Sequence, residues 1–297
     1  MIRHDGAALL GPADAQDEPR IAILVLGCLL TVYDRCIQTI RTTWAARTTS
    51  SVDIYYVYGG QNPGPGHDVV DVERLIGQPR PHLQDGAVWV SGDIILCGAS
   101  DLQSVQSNCV LRKRLLAFGY LANHENYDFV YTVCAGSYVD VEELKRYVRA
   151  LPRTGVYHGP LNVHGATGYP FVSGSSILLS KDLAGELGRH AEEIWSTYPE
   201  DVADDVVIGH WVASRHCSES VDEIRARIGV SPRATSNETF VAPYGGQIMD
   251  FVTSPAYSQV PRGPSYHFHF HSRRMLWEME NFHRRFFAAP PGARENG

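Results

Sequence analysis

A strand-to-helix corner in the middle of the chain is the first place where residue types and spacing suggest ligand chemistry. The segment YDFVYTVCAGSYVDVEELKRYV, residues 127–148, begins as an apolar strand and continues as an amphipathic helix. The corner between them consists of Cys134, Ala135, Gly136 and Ser137. The amides of a helix N-terminus can face an anion, and Asp140 with Glu143 has the spacing of an N-terminal capping pair. The corner alone equally suits a tight turn whose small residues only permit close packing.

Two further groups of polar residues lie downstream of the corner. The acidic turn YPEDVADD, residues 198–205, precedes the helical pattern DVVIGHWV, and carboxylates there stabilise the first turn of a helix. In YHFHFHS, His267, His269 and His271 alternate, so a strand would present all three on one face. Alternating histidines can build a metal site. Without a carboxylate partner in the motif, a solvated or hydrogen-bonded strand face is the simpler interpretation.

The elements that must position these residues follow a βα pattern. Apolar runs bounded by Gly and Pro predict buried strands, and apolar residues at helical spacing predict the helices between them. The predicted strands are residues 20–27, 52–60, 93–100 and 127–133, and later YPFVSGSSILLS, residues 169–180, gives strands around a Gly-Ser turn. Strands alternating with helices imply a mostly parallel sheet with right-handed crossovers. In such sheets ligands bind at the carboxyl ends of the strands, which places the corner in a candidate site.

Composition narrows the function classes. The chain has 297 residues, 44% hydrophobic and 20% charged, which fits one large α/β domain, predicted over residues 20–287. Residues 1–19 and 288–297 are predicted to be disordered tails. A formal net charge of −7 without a dense basic block argues against a nucleic-acid partner.

The longest apolar run and the cysteines indicate where in the cell the protein is expected. The run IAILVLGCLL, residues 21–30, is about half the length of a membrane-spanning helix. The first nineteen residues lack the apolar segment of a secretory signal. The six cysteines are scattered without a C-x-x-C pair, which favours free thiols over zinc or disulfides. We therefore expect a cytoplasmic protein without an integral membrane segment.

Five short motifs resemble, in sequence order, glycosyltransferase family 31, the Fringe-like and β-1,3-glycosyltransferases with the GT-A fold. The motifs are IRTTW (residues 40–44), the corner segment, YPFVSGSSILLSKDLAGEL, DDVVIGHW and FHSRR (residues 270–274). Each is weak alone, but the order over residues 20–275 is hard to obtain by chance. The resemblance implies a GT-A-type α/β fold with a mostly parallel sheet and a small antiparallel element. It also implies an inverting glycosyltransferase with a nucleotide-sugar donor, usually UDP-linked, and a glycan or small-molecule hydroxyl acceptor.

The chain departs from this family where the family carries three aspartates that hold Mn²⁺ or Mg²⁺ against the donor diphosphate. Cys134 is a soft ligand, and Ala135 and Gly136 offer none. Three hypotheses remain. In the first, a metal-independent transferase neutralises the diphosphate with helix-terminal amides near Ser137 and with Arg41 and Arg112. In the second, other ligands retain an ion, with His271 the family-matched candidate. In the third, the protein is an inactive relative that only binds glycan or nucleotide.

The resemblance also assigns roles outside the corner. An inverting transferase needs a carboxylate that takes the proton of the acceptor hydroxyl, and Asp205 matches the family position of that base, with its neighbour Asp204 as the second choice. The alternative is that both only stabilise the helix. The sugar and acceptor pocket is expected at Tyr169, Ser173, Gly174, Ser175 and Trp211. A glycine there lets a sugar approach the backbone; the two aromatics could stack on the sugar or belong to the core.

Overall fold

The structure is a computed structural model that describes residues 18–61, 68–101, 108–163, 170–198, 202–216, 240–241, 248–250, 267–269 and 275–286. All but residues 18 and 19 of the predicted tails lie outside the described residues, so the tails stay a prediction. The predicted site residues Tyr169 and His271 also lie outside the described residues.

The described part of the chain is built around a seven-stranded sheet. In chain order its strands are β1 (Ile21–Leu26), β2 (Val52–Gln61), β3 (Val88–Ser91), β4 (Ile94–Ser100), β5 (Phe129–Cys134), β7 (Tyr157–His158) and β10 (Ser176–Ser180). They lie side by side in the order β3-β4-β2-β1-β5-β10-β7. The four central strands are parallel, while β3, at one edge, and β10 run antiparallel to their neighbours. The mostly parallel α/β sheet expected from the sequence is confirmed.

Helices cover both faces of the sheet because the central strands are apolar on both faces. On β1, Ile21, Ile23 and Val25 join one core cluster, and Ala22 and Leu24 join the other. The first cluster includes residues of α1 (Thr31–Thr42), α4 (Val141–Val148) and α8 (Met275–Phe286). The second includes residues of α3 (Cys109–His124), α5 (Lys181–Arg189), α6 (Ala191–Thr197) and α7 (Asp204–His216). A short helix, α2 (Val72–Ile76), and a 3₁₀ turn (Ala45–Arg47) complete the described helices.

The order of the strands creates a topological switch point, here called the crevice, at the carboxyl ends of β1 and β5. From β1 the chain passes through α1 to β2 and onward to β4, and α3 then carries it back across the opposite face to β5, on the other side of β1. The direction of strand addition thus reverses between β1 and β5. Ligands of open α/β sheets bind outside the carboxyl ends of the strands at such a switch point.

Two small sheets lie beside the main one. One pairs β6 (Ser137–Val139) with β13 (His267–His269), which pairs with β12 (Ile248–Asp250). The other joins β8 (Pro160–Val163) to β9 (Pro170–Val172) and β11 (Phe240–Val241). The chain therefore does not pass directly from β5 into a helix, as the sequence suggested, because β6 intervenes and finds a partner far along the chain. The segment after β10 forms two helices, α5 and α6, which meet at His190.

No helix among the described residues combines the length and the apolar character that crossing a membrane requires.

Candidate functional site

The candidate site lies at the carboxyl ends of β1, β2, β4 and β5. Leu26, the last residue of β1, is paired in register with Cys134, the last residue of β5. The predicted corner therefore does lie at the switch point of the sheet. Asp101 directly follows β4, and α3 passes behind this edge.

A buried ion pair lies at the carboxyl ends of β1, β2 and β4. The ammonium of Lys113, on α3, donates to Asp101 Oδ1 at 2.6 Å and to the carbonyl of Gly27 at 2.8 Å. Asp101 Oδ1 also accepts from the backbone N–H of Gly59 at 2.7 Å, and its Oδ2 accepts from that of Leu29. Both charged residues are 2% exposed. The pair thus ties the loops that leave β1 and β4 to Gly59, near the end of β2.

The corner itself contains few free polar side-chain groups. Ala135 is buried, and Ser137 lies in β6 with its hydroxyl 2.9 Å from His267 Nε2. The carbonyl of Ser137 accepts from Trp44 Nε1 at 3.0 Å. The helix that follows, α4, is capped by its own Asp140, which accepts from the N–H of Glu143 at 3.2 Å. Asp140 therefore caps α4 as the sequence predicted. Ser137, in contrast, belongs to the strand β6 and not to the N-terminus of this helix.

A second charged cluster lies above the end of β5, around the turn between β9 and β10. Arg114, also on α3 and 1% exposed, donates from Nη1 to Asp204 and from Nη2 to the carbonyl of Gly174. The N–H of the same Gly174 donates to Asp205 Oδ2 at 2.7 Å. The thiol of Cys134 is 3.7 Å from the carbonyl of Gly174. The structure thus brings together four predicted site residues through one arginine that the sequence analysis did not single out.

Burial raises the pKa of two groups in this cluster, the Asp205 carboxyl and the Cys134 thiol. Burial, followed by the charge of Asp204, raises the pKa of Asp205 above its ordinary value, although the N–H groups of Gly174 and Val206 and the charge of Arg114 oppose the shift. Burial also raises the pKa of the Cys134 thiol to about 11, so it is a neutral thiol near pH 7. A carboxylate with a raised pKa is suited to accept a proton in catalysis.

The acids in the first turn of α7 do more than stabilise that helix. Both Asp204 and Asp205 lie in the first turn, where negative charge is favourable. Their side chains nevertheless reach beyond it, to α3 and to the turn after β9. Asp205 Oδ1 also accepts from the N–H of Val206 at 2.9 Å, so each oxygen of this carboxylate is oriented by a backbone donor.

The two arginines predicted to bind the diphosphate do not join this cluster. Arg112 forms an ion pair with Asp85 and stacks over the ring of Trp195. Arg41 pairs with Asp93, which directly precedes β4, and so lies toward the amino ends of the strands. Both arginines are thus paired with protein carboxylates that are distant in the sequence, and their sequence neighbours could not identify these partners.

The remaining predicted pocket residues divide into two groups. Ser173 and Ser175 flank Gly174 in the turn, with their hydroxyl oxygens 3.1 Å apart, and both are partly exposed. Trp211 is 3% exposed and belongs to the core, with the guanidinium of Arg215 over its ring. Stacking of a sugar on Trp211 is therefore not available, and the core alternative holds for this residue.

The described residues do not fit a divalent cation of the family type. Among them, no group of three or more His, Cys, Asp or Glu side chains is arranged to hold a metal. At the corner, Cys134 offers a thiol with a raised pKa, and the hydroxyl of Ser137 is hydrogen-bonded to His267. Mn²⁺ and Mg²⁺ prefer charged and neutral oxygen ligands, which residues 134–136 do not supply from their side chains.

Comparison with known proteins adds little beyond this geometry. No family model and no curated protein matches the sequence. Among solved structures, the chain is similar to the glycosyltransferase GlyE of Streptococcus pneumoniae TIGR4, with 14% identity and a TM-score of 0.43 over 91% of this chain and 64% of that one. The apo form of GlyE gives 15% identity and a TM-score of 0.41, over 91% and 63%. The chain thus spans less than two thirds of the length of these structures, and a likeness at these TM-scores identifies neither a donor nor an acceptor.

Proposed function

We propose that this protein is an inverting glycosyltransferase that moves a sugar from a nucleotide donor, UDP-linked, to an acceptor hydroxyl, with Asp205 as the general base. The observation that carries the proposal is the placement of Asp205. Its carboxylate is partly buried, oriented by two backbone N–H groups and raised in pKa, and it lies beside the carboxyl end of β5.

The proposed reaction needs one proton acceptor and one leaving group. Asp205 takes the proton of the acceptor hydroxyl while that oxygen forms a bond to the anomeric carbon of the sugar. The bond between this carbon and the diphosphate breaks, and the nucleoside diphosphate leaves with the electron pair. Because attack comes from the face opposite the leaving group, the configuration at this carbon inverts.

A cavity beside the carboxyl ends of β1 and β2 could hold the nucleoside of the donor, which supports the proposal. It has a volume of about 310 Å³ and is lined by Leu29, residues 69–73 and Arg80. The lining combines aliphatic side chains with both acidic and basic groups, as a nucleoside with apolar and polar faces requires. Lys113 and Asp101 hold Leu29, on its wall, in place.

We propose that the transfer does not depend on a divalent cation, because residues 134–136 replace the carboxylates that would bind one. The second candidate function, a glycan- or nucleotide-binding module without activity, is favoured by the same replacement. Retention of an ion through His271 is the third alternative. The metal dependence of donor turnover and the effect of replacing Asp205 distinguish these three alternatives.

The test combines donor turnover with one matched pair of variants. Release of UDP from a panel of UDP-sugars, with and without acceptor sugars, is measured in EDTA and in Mn²⁺, and UDP binding is measured by calorimetry. Asp205→Asn is expected to lower kcat by about 10²- to 10⁴-fold with little change in UDP affinity. Asp182→Asn is the control, because Asp182 also lies in the first turn of a helix and accepts from a glycine N–H, that of Gly155 at 3.0 Å, but away from the crevice.

Each outcome decides between the candidates. Turnover that persists in EDTA and disappears in Asp205→Asn supports the proposal. A strict requirement for Mn²⁺ would replace the metal-independent mechanism with an ion held by other ligands. UDP binding without turnover of any donor would favour the binding module, and full turnover by Asp205→Asn would remove the base assignment.

A further inference from the structure

Arg114 is a fully buried guanidinium that joins three elements of the fold. It leaves α3 and donates to Asp204 on α7 and to the carbonyl of Gly174 in the turn between β9 and β10. At 1% exposure it has no access to solvent. A guanidinium offers its donors in a rigid planar fork, so two partners held by one fork are fixed relative to each other.

Stability alone is a weak reason for this arrangement. A buried ion pair often stabilises a protein no more than an apolar pair of the same volume, because desolvation of the charges offsets their attraction. Arg114 Nε is, in addition, buried without a hydrogen-bond partner among the described residues, which carries a further desolvation cost. A residue that is expensive to bury and that contacts the acids of the candidate site therefore calls for a functional explanation.

Gly174 connects Arg114 to Asp205. Arg114 binds the carbonyl of Gly174, and Asp205 accepts from its N–H at 2.7 Å. The space between the two side chains is so narrow that a Cβ on Gly174 would lie 3.1 Å from Arg114 Nη1 and 3.2 Å from Asp205 Oδ2. Arg114 thus contacts both the turn that orients Asp205 and the neighbouring Asp204.

We propose that Arg114 is the positioning residue of the base, holding Gly174 and Asp204 so that the Asp205 carboxylate faces the acceptor. The role as base rests on the proposed function, whereas the hold on Asp205 does not. Among the residues that the structure describes, the charged and titratable groups facing Asp205 are Asp204 on its own helix, Arg114 on α3, Cys134 at the end of β5 and Tyr157 on β7. Of these, Arg114 is the cation, and Asp204 is the neighbouring anion that it pairs with.

The hold can be measured without any substrate. The titration of the Asp205 carboxyl is followed by NMR in protein labelled with ¹³C at aspartate side chains, with Asp205→Asn identifying the signal. In Arg114→Met the Asp205 pKa is expected to rise by about one unit or more, because a nearby cation is lost while Asp204 stays. In Asp204→Asn the Asp205 pKa is expected to fall. In Arg114→Met/Asp204→Asn the two effects oppose each other, and the pKa returns toward that of the wild type.

The double variant also keeps the test valid if Arg114→Met does not fold, because it removes both members of the buried Arg114–Asp204 ion pair. It differs from Asp204→Asn only at position 114, so their comparison isolates the effect of Arg114. A control, Arg146→Met, removes an exposed arginine of α4 that pairs with Glu143, and the Asp205 pKa should not change. If removal of Arg114 moves the Asp205 pKa by less than about half a unit in either background, the proposed hold is overturned.

Kinetics then test the positioning of the base. Arg114→Lys keeps the charge but loses the fork, so we expect the acid limb of the kcat/KM profile to stay in place while kcat falls about tenfold or more. Unchanged kcat in Arg114→Lys would overturn positioning. If no UDP-sugar is turned over at all, or if Asp205→Asn is fully active, the proposed function fails, while the NMR titration still decides whether Arg114 holds Asp205.

Discussion

The buried pair of Lys113 and Asp101 offers the sharpest test of how the crevice is built. We consider Asp101→Asn, which preserves side-chain size and removes the charge. Asp101 uses both oxygens: Oδ1 accepts from Lys113 at 2.6 Å and from Gly59 at 2.7 Å, and Oδ2 accepts from Leu29. Asparagine replaces one oxygen with an NH₂ group. In either orientation of the amide, a donor then faces a donor.

The expected magnitude follows from this burial. Removing one partner of a buried ion pair costs about 3–5 kcal/mol, because the remaining charge is left without compensation. The side chains of Lys113 and Asp101 are 2% and 0% exposed, so water cannot replace the lost carboxylate. The clash of two donors adds to this loss, so we expect the free energy of unfolding to fall by about 4 kcal/mol, a large share of the ~5–15 kcal/mol of an ordinary domain.

Chemical unfolding in urea, followed by circular dichroism, measures this change. The matched control is Asp85→Asn, since Asp85 pairs with Arg112, the residue next to Lys113 on α3, but is 62% exposed. Exposed pairs contribute about 0–1 kcal/mol, so the control should be nearly neutral. A loss for Asp101→Asn that is no larger than that of Asp85→Asn would refute the view that this pair holds the strand ends together.

Three further predictions concern the site and the sheet. In Gly174→Ala the new Cβ must displace Arg114 or Asp205, from which it would lie 3.1–3.2 Å, so steady-state kinetics should show kcat reduced about tenfold or more with UDP affinity retained; unchanged kcat would contradict the close packing. Cys134→Asp should not create a Mn²⁺ site in a calorimetric titration, because Ala135 and Gly136 add no ligand, Asp204 is paired with Arg114, and both oxygens of Asp205 already accept backbone N–H groups; micromolar Mn²⁺ binding would show otherwise. Burial lowers the pKa of His158 to about 4, so the unfolded chain binds the proton first and stability is lost as pH falls from about 6.5 to 4, by up to about 3 kcal/mol; urea unfolding of His158→Gln should show a flatter pH dependence, and an unchanged slope would contradict a neutral buried imidazole.

The sequence predicts the elements whose pattern is local and misses those defined by distant partners. The predicted bounds of β1, β2 and β4 agree with the structure within about two residues, because each strand is a mainly apolar run. The edge strand β3, Val88–Ser91, was missed, although VWVS followed by Gly92 at φ +56° is a hairpin signal. The strand β6 has only three residues, and only its pairing with β13, about 130 residues later, defines it.

The site was predicted in the same uneven way. Asp204, Asp205, Gly174 and Cys134 were identified through their motifs, and the structure brings them together. Arg114 and Lys113 were missed, because an arginine and a lysine in a helix are ordinarily exposed to solvent. A signal was present: in VLRKRLLAF the charged residues stand within an apolar stretch, and a helix with so many apolar residues is covered on more than one side.

The burial of Lys113 and Arg114 on adjacent positions gives α3 a role that neither residue shows alone. Successive residues of a helix point about 100° apart, so the burial of two neighbouring side chains requires a covered face at least that wide. The sheet encloses α3 on one side and the helices α5, α6 and α7 on the other. Lys113 consequently reaches the loops after β1 and β4, where the donor is proposed to bind, while Arg114 reaches Gly174 and Asp204, beside the proposed base. Both cations are already paired with protein carboxylates, so their charge organises the crevice from within and is not available to the departing diphosphate. A displacement of α3 would therefore disturb the proposed donor site and the proposed base together.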